Sequence, residues 1–223
     1  AMRSGAGLVT VVTQPEHQPA LLARLPEAMF MSADSVALGE TISAADFVVI
    51  GPGLGRGEWG NNLFAQTATR TAPMLVDADG LYWLKNSDHQ PAARSLFITP
   101  HAGEAASLLS TSTALIEADR IQAAKSLVTT YKCHALLKGP GSVVIAGTNV
   151  HICAHGGPAM ATAGMGDVLS GICAGLLAPL SATGRLEQVA GAFAQAVALH
   201  SASADLAAEE GSPRSVIATD VIE

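Results

Sequence analysis

Short apolar runs alternate with longer Ala-rich stretches along this chain. The short runs Leu8–Thr13, Phe47–Gly51, Met74–Asp77, Leu96–Thr99, Ala135–Lys138 and Val143–Ala146, several of them β-branched, predict strands. The stretches Trp59–Thr69, Ala102–Leu109, Leu115–Tyr131, Met165–Leu177 and Leu186–Leu206 predict helices. Phe47-Val48-Val49-Ile50 is apolar at every position, as in a strand buried on both faces. Strands alternating with helices predict a mostly parallel sheet covered by helices. From Ala135 to Cys153 the strand-like runs are separated only by Gly-Pro-Gly and Gly-Thr-Asn, which predicts an antiparallel hairpin at one edge. No repeat, low-complexity tract or linker divides residues 1–223, so a single α/β domain is expected.

Composition narrows the classes. Hydrophobic residues make up 49% of the 223, enough for a sizeable core. A net charge of -7 argues against a nucleic-acid surface. An acidic chain can still bind small phosphorylated molecules through backbone N–H groups. Cys133, Cys153 and Cys173 are far apart, which predicts reduced thiols and a cytoplasmic protein. Val168–Leu180 is too short a run for a bilayer, so no membrane association is expected. The opening AMRSGAGLVTVV reads as an interior start, with a first strand missing upstream.

Ligands of open α/β sheets gather at the carboxyl ends of the strands, and the unusual residues of this sequence sit there. Gly51-Pro-Gly-Leu-Gly55 follows a strand and precedes a helix; its amides suit a phosphate or ribose, or simply a tight turn. Asp77-Ala-Asp79 offers two carboxylates for a hydrated magnesium, or Asp79 as the cap of a helix starting near Leu81. In Thr99-Pro-His-Ala-Gly-Glu104, Pro100 and Glu104 fit a first helical turn, while His101 is left over as a candidate donor to substrate. Lys138-Gly-Pro-Gly-Ser142 combines a phosphate-binding charge with a glycine turn, or forms an edge hairpin with a snorkelling lysine. It is not a Walker A loop, whose lysine opens the helix. His151, Cys153 and His155 share one strand face but lack a fourth zinc ligand.

Ala159-Met-Ala-Thr-Ala-Gly-Met-Gly-Asp167 runs small residues into a helix. The N-terminus of a helix carries unpaired amides and about +0.5 charge. Asp167 there is either a cap or a general base that takes a proton from a hydroxyl attacking a bound phosphate.

Together, GPGLG, DADGL, TPHAGE, KGPGS and GMGDVLSG resemble, in order and approximate spacing, the ADP/ATP-dependent NAD(P)H-hydrate dehydratases of the ribokinase-like superfamily. The resemblance covers the whole chain, from RSGAGLVTVV to the closing IATDVIE. It implies a three-layer ribokinase-like fold and a lyase that repairs NADHX and NADPHX. ADP, or ATP, would phosphorylate the C6 hydroxyl of the hydrated ring, and elimination of phosphate would restore NADH or NADPH. Carried over by motif, Asp167 is the catalytic base and Gly166 lies in the anion hole. Gly53, Gly55 and His101 contact the hydrate, and Lys138, Gly139, Pro140, Gly141 and Ser142 contact the nucleotide. Magnesium is expected, with Glu104 and Asp77 as candidate ligands. A homo-oligomer, possibly a tetramer, and a functional link to an NAD(P)HX epimerase are also implied.

The sequence departs from the family pattern in places. Tyr82 replaces a frequent asparagine, and Ala102 replaces a proline. Ala159 and Ala163 stand where the family has glycine, and a positive φ at either would strain the loop. Two competing expectations remain: a ribokinase-like kinase of a vitamin-precursor alcohol, and a nucleotide-binding relative that has lost catalysis.

Overall fold

In β4 (Met74–Val76) and β5 (Leu96–Ile98) every side chain is buried, yet neighbours serve different layers. Met74, Val76, Leu96 and Ile98 pack with Leu63, Phe64, Leu84 and Leu127 on one side of the sheet. Leu75 and Phe97 pack with Leu169, Cys173, Leu177 and Phe193 on the other. The period-two geometry of a strand thus divides one continuous apolar run between two cores.

The computed structural model describes residues 1–93 and 95–222, a three-layer α/β fold. Its six-stranded sheet has the order β3-β4-β5-β6-β7-β8. β3 (Val48–Ile50), β4, β5 and β6 (His134–Leu137) are parallel; β7 (Val143–Ala146) and β8 (Asn149–Ile152) continue antiparallel. A separate parallel pair joins β1 (Thr10–Thr13) to β2 (Met29–Ser32). α1 (Gln18–Arg24) and α2 (Leu38–Ala44) lie in this first part of the chain. α3 (Glu58–Ala68), α4 (Asp79–Asn86), α5 (Ala102–Leu108), α6 (Thr113–Ala118) and α7 (Arg120–Tyr131) follow, and residues of all five enter the first core. α8 (Met165–Ala182) and α9 (Leu186–Glu210) cover the other face.

The expected strands are present, and so is the antiparallel edge, which carries a third strand, β8. The stretch expected as one helix over Leu115–Tyr131 is two. Asp119, at φ -147° and ψ 84°, breaks it and caps α7 by accepting from the Gln122 amide at 2.9 Å. α8 runs past the expected Leu177 and carries Pro179 in its last turns. Over its 18 residues α8 has a mean hydropathy of 1.4 and is, by length and composition only, long and apolar enough to cross a membrane. Its apolar side chains Leu169, Ile172, Cys173 and Leu177 are instead used in the second core.

Candidate active site

The strand register aligns the tips. Ile50 pairs with Val76 and Val76 with Ile98, and beyond the strands His101 bridges to Lys138. The Lys138 amide donates to the Pro100 carbonyl at 2.8 Å. Pro100 therefore precedes α5 and is not part of its first turn. Gly51 sits at φ +131°, and a Cβ there would lie 1.7 Å from the Asp77 carbonyl oxygen. Only glycine lets the tips of β3 and β4 approach so closely.

Lys138 stands at the centre of a charged cluster. Its Nζ is 2.8 Å from Asp77 Oδ1 and 4.0 Å from Glu104 Oε2. Asp77 is 1% exposed, and its Oδ2 accepts from the Ser170 hydroxyl at 3.1 Å. The start of α8 lies against this pair: a Cβ on Gly166 would be 3.4 Å from Asp77 Oδ2 and 3.6 Å from Lys138 Nζ. Gly164, at φ +85°, is the N-cap of α8, and no side chain caps it. Asp167 is therefore not a cap, which answers half of the question its position raised. It is exposed in the first turn. Partial burial, then the charge of Asp77, hold its pKa above the ordinary carboxylate value, with Lys138 opposing. Uncapped amides beside a carboxylate and an ammonium form a site for an anion undergoing transfer.

His101 proves to be the N-cap of α5. Its Nδ1 accepts from the Gly103 and Glu104 amides at 3.0 and 3.2 Å, and Glu104 Oε2 accepts from the His101 amide at 2.8 Å. The helix start thus explains His101 as well as Glu104. The imidazole edge remains open, because the side chain is 60% exposed.

In the GPGLG loop, Gly53 (φ +66°) has open space around it. The Gly55 amide donates to Asp79 Oδ2 at 3.1 Å. Asp79 also holds Arg56 Nε at 3.0 Å, and Trp83 Nε1 donates to the Gly55 carbonyl at 2.9 Å. Arg56 lies 4.7 Å over the Tyr82 ring, so the tyrosine that replaces the family's asparagine braces this loop. Asp79 is therefore a loop clamp and not a helix cap. The residue before it, Ala78, adopts φ 48° and ψ -125°, a strained turn that sends Asp77 inward and Asp79 outward.

In KGPGS the Ser142 hydroxyl is turned inward. It accepts from the Gly139 amide at 3.3 Å and donates to the Gly139 carbonyl at 3.1 Å, bracing the turn from within. Arg120 supports it from α7 by donating to the Leu137 carbonyl at 3.1 Å. A Cβ on Gly139 would meet the Arg120 guanidinium at 2.9 Å. Arg120, Ser170, Arg56 and Trp83 went unnoticed in the sequence. Glycine at the foot of each loop hinted at close neighbours but could not say which.

Neither alanine of the small-residue loop has positive φ: among the described residues only Ala78, Ser110 and Lys132 do so without being glycine. Ala159 and Ala163 therefore do not strain the backbone in the way the sequence allowed. A cavity of about 820 Å³ opens beside this loop, walled by Thr162, Asp205, Arg214 and Ile217. Asp167, Lys138 and His101 do not line it; their cluster lies open at the strand tips. In the closing segment Ala218 lies against Gly164, where an added Cβ would be 3.1 Å from it; Glu223 lies outside the described residues.

Both oxygens of Asp77, a candidate magnesium ligand, accept hydrogen bonds, from Lys138 at 2.8 Å and Ser170 at 3.1 Å. Glu104 keeps Oε1, whose neighbour is His101 Nε2 at 3.6 Å. Among the described residues no three or more His, Cys, Asp or Glu side chains converge to hold a metal. Of His151, Cys153 and His155, His155 faces Asp205 at 3.7 Å.

The NAD(P)H-hydrate dehydratase family model matches residues 1–223. The chain is 42% identical over 225 residues to the bifunctional NAD(P)H-hydrate repair enzyme Nnr of Coxiella burnetii, covering 99% of this chain and 44% of that protein. It is 44% identical over 223 residues to Nnr of Escherichia coli, covering 99% and 42%. The chain thus spans less than half the length of these curated relatives. The ADP/ATP-dependent NAD(P)H-hydrate dehydratase of Bacillus subtilis, co-crystallised with ATP/Mg2+, is 25% identical and superimposes with a TM-score of 0.81 over 100% of this chain and 78% of that one. With the family match running from end to end and the fold shared, the chain belongs to the NAD(P)H-hydrate dehydratase family, within the ribokinase-like superfamily.

Proposed function

We propose that this protein carries out ADP-dependent dehydration of NADHX and NADPHX to NADH and NADPH, releasing AMP and phosphate. The observation that carries the reading is Asp167, a non-capping carboxylate of raised pKa beside the uncapped start of α8. The terminal phosphate of ADP lies against the α8 amides and Lys138. Asp167 takes the proton of the C6 hydroxyl as its oxygen attacks phosphorus, and AMP leaves. Phosphate is a far better leaving group than hydroxide. The ring-nitrogen lone pair then expels it, and loss of a C5 proton restores the double bond.

His101 and Gly53 face the hydrate, and the KGPGS turn faces the nucleotide. Glu104 suits magnesium that arrives on the nucleotide phosphates, since that ion keeps several waters and needs few protein oxygens. When bound, it offsets charge on the phosphates. An NAD(P)HX epimerase is the proposed partner activity; the relatives named bifunctional carry a second activity that their names leave unspecified. The reading in which catalysis has been lost loses one support, because Ala159 and Ala163 impose no positive φ.

The test is to mix the protein with ADP, magnesium and NADHX and follow the return of reduced-nicotinamide absorbance. Recovery with stoichiometric AMP is expected. A phosphorylated product that persists identifies a simple kinase, and ADP binding without turnover identifies a lapsed relative.

A further inference from the structure

Asp77 was a candidate metal ligand, yet the structure gives both its oxygens to protein donors. A polar group 1% exposed needs partners, and this carboxylate has two: Lys138 Nζ at 2.8 Å and Ser170 Oγ at 3.1 Å. The ammonium carries three N–H groups. One is held by Asp77. Glu104 Oε2, at 4.0 Å, lies beyond hydrogen-bond reach. The rest of the ammonium is next to the uncapped start of α8, 3.6 Å from where a Gly166 Cβ would stand, and its side chain is 23% exposed.

Ser170 sits on α8 itself, about one turn beyond Gly166 and Asp167. The helix whose amides face the anion therefore also holds, through Ser170 and Asp77, the lysine from the tip of β6. A free lysine on a four-carbon stem would lose rotamer freedom on meeting a phosphate. One already held in place loses less.

We propose that Asp77 and Ser170 are positioning residues that fix the Lys138 ammonium in register with the α8 amides, so that both meet the transferring phosphoryl group together. The inference rests on the phosphoryl-transfer reading above. In it Lys138 is the catalytic residue, because it touches the phosphate, and Ser170 acts only through it.

The test is a double-mutant cycle in the full chain. Asp77→Asn leaves Lys138 beside a neutral amide and can compromise folding, so Ser170→Ala is the informative variant. Lys138→Met is expected to lower kcat by about 100-fold, the scale of losing one oriented charge-stabilising donor. Ser170→Ala is expected to lower kcat about tenfold and to raise the calorimetric Kd for magnesium-ADP by no more than about threefold, the scale of one hydrogen bond to a charged group. In the Lys138→Met background, Ser170→Ala is expected to add nothing to either quantity. The proposal is overturned if the Ser170→Ala loss persists undiminished beside Lys138→Met, or if Ser170→Ala leaves both kcat and Kd at their wild-type values. Should the wild type bind ADP but fail to restore NADH, the dehydratase reading fails by itself. The magnesium-ADP binding cycle then decides the relay: an effect of Ser170 that vanishes with Lys138→Met supports it, and one that persists refutes it.

Discussion

His101 and Glu104 cap each other across the first turn of α5: the imidazole Nδ1 accepts from the Glu104 amide at 3.2 Å, and Glu104 Oε2 accepts from the His101 amide at 2.8 Å. With Nδ1 fixed as an acceptor, the neutral ring carries its proton on Nε2, at the exposed edge. Structure and recognition can be separated here, because asparagine caps as well as the best residues do. His101→Ala is expected to cost about 1 kcal/mol of stability, and His101→Asn a few tenths at most. Both are expected to raise the KM for the hydrate. Unfolding midpoints with steady-state kinetics check this, and wild-type kinetics in His101→Asn would leave His101 a cap and nothing more.

Asp167 must be ionised to act as base. Burial, followed by the charge of Asp77, raises its pKa, so its share of activity is present at higher pH and is lost as pH falls through the raised value. The acidic limb of the kcat profile is therefore expected above the ordinary carboxylate value of about 4. Lys138 opposes the shift, so Lys138→Met is expected to move the limb further up. Asp167→Asn is expected to lower kcat by at least about 100-fold while leaving nucleotide binding largely intact. Near-normal turnover in that variant would remove Asp167 as the base.

His200 predicts how the fold responds to acid. It is 4% exposed, its Nε2 has no hydrogen-bond partner among the described residues, and burial above all draws its pKa down to about 4. The unfolded chain takes up that proton at the ordinary value of 6.5. Between these values the unfolded state binds more protons, so stability falls as pH falls, by about 1.4 kcal/mol per unit and about 3 kcal/mol in total. His134, also lowered by burial, acts in the same direction. Thermal unfolding of His200→Gln is expected to show a visibly flatter pH dependence over that interval.

Ala78 holds a backbone conformation with φ 48° that glycine adopts freely. Relief of the strain outweighs the added freedom of the unfolded chain, so Ala78→Gly is expected to stabilise the protein by about 1 kcal/mol. Denaturant unfolding measures it, and a loss of stability would show that the turn carries no strain.

The central strands were legible because short apolar runs there end at glycine, proline or a charged residue. β2 was not: Met29-Phe-Met-Ser32 has no β-branched residue and no alternation. The break at Asp119 was hidden because Glu117-Ala-Asp-Arg120 reads as helix; only its backbone angles reveal a cap. At the site, Lys138, Asp77 and Asp167 declared themselves by standing at strand tips or at a helix start. Ser170, Arg120 and His200 sit inside helices with no local pattern to mark them. Their roles arise only when the folded register brings α7, α8 and α9 against the strand ends. Asp79 was misread for a similar reason, since its partners Gly55 and Arg56 are remote in sequence and near only in space.

The seating of Gly51 on the Asp77 carbonyl has a mechanical consequence. Two strand tips that touch main chain to main chain, with no side chain between them to yield, form a rigid hinge plate. The glycine loop on one tip and the carboxylate that steadies Lys138 on the next must therefore shift as one body. A single methyl group at position 51 would act as a wedge between them, disturbing the lysine without coming near it.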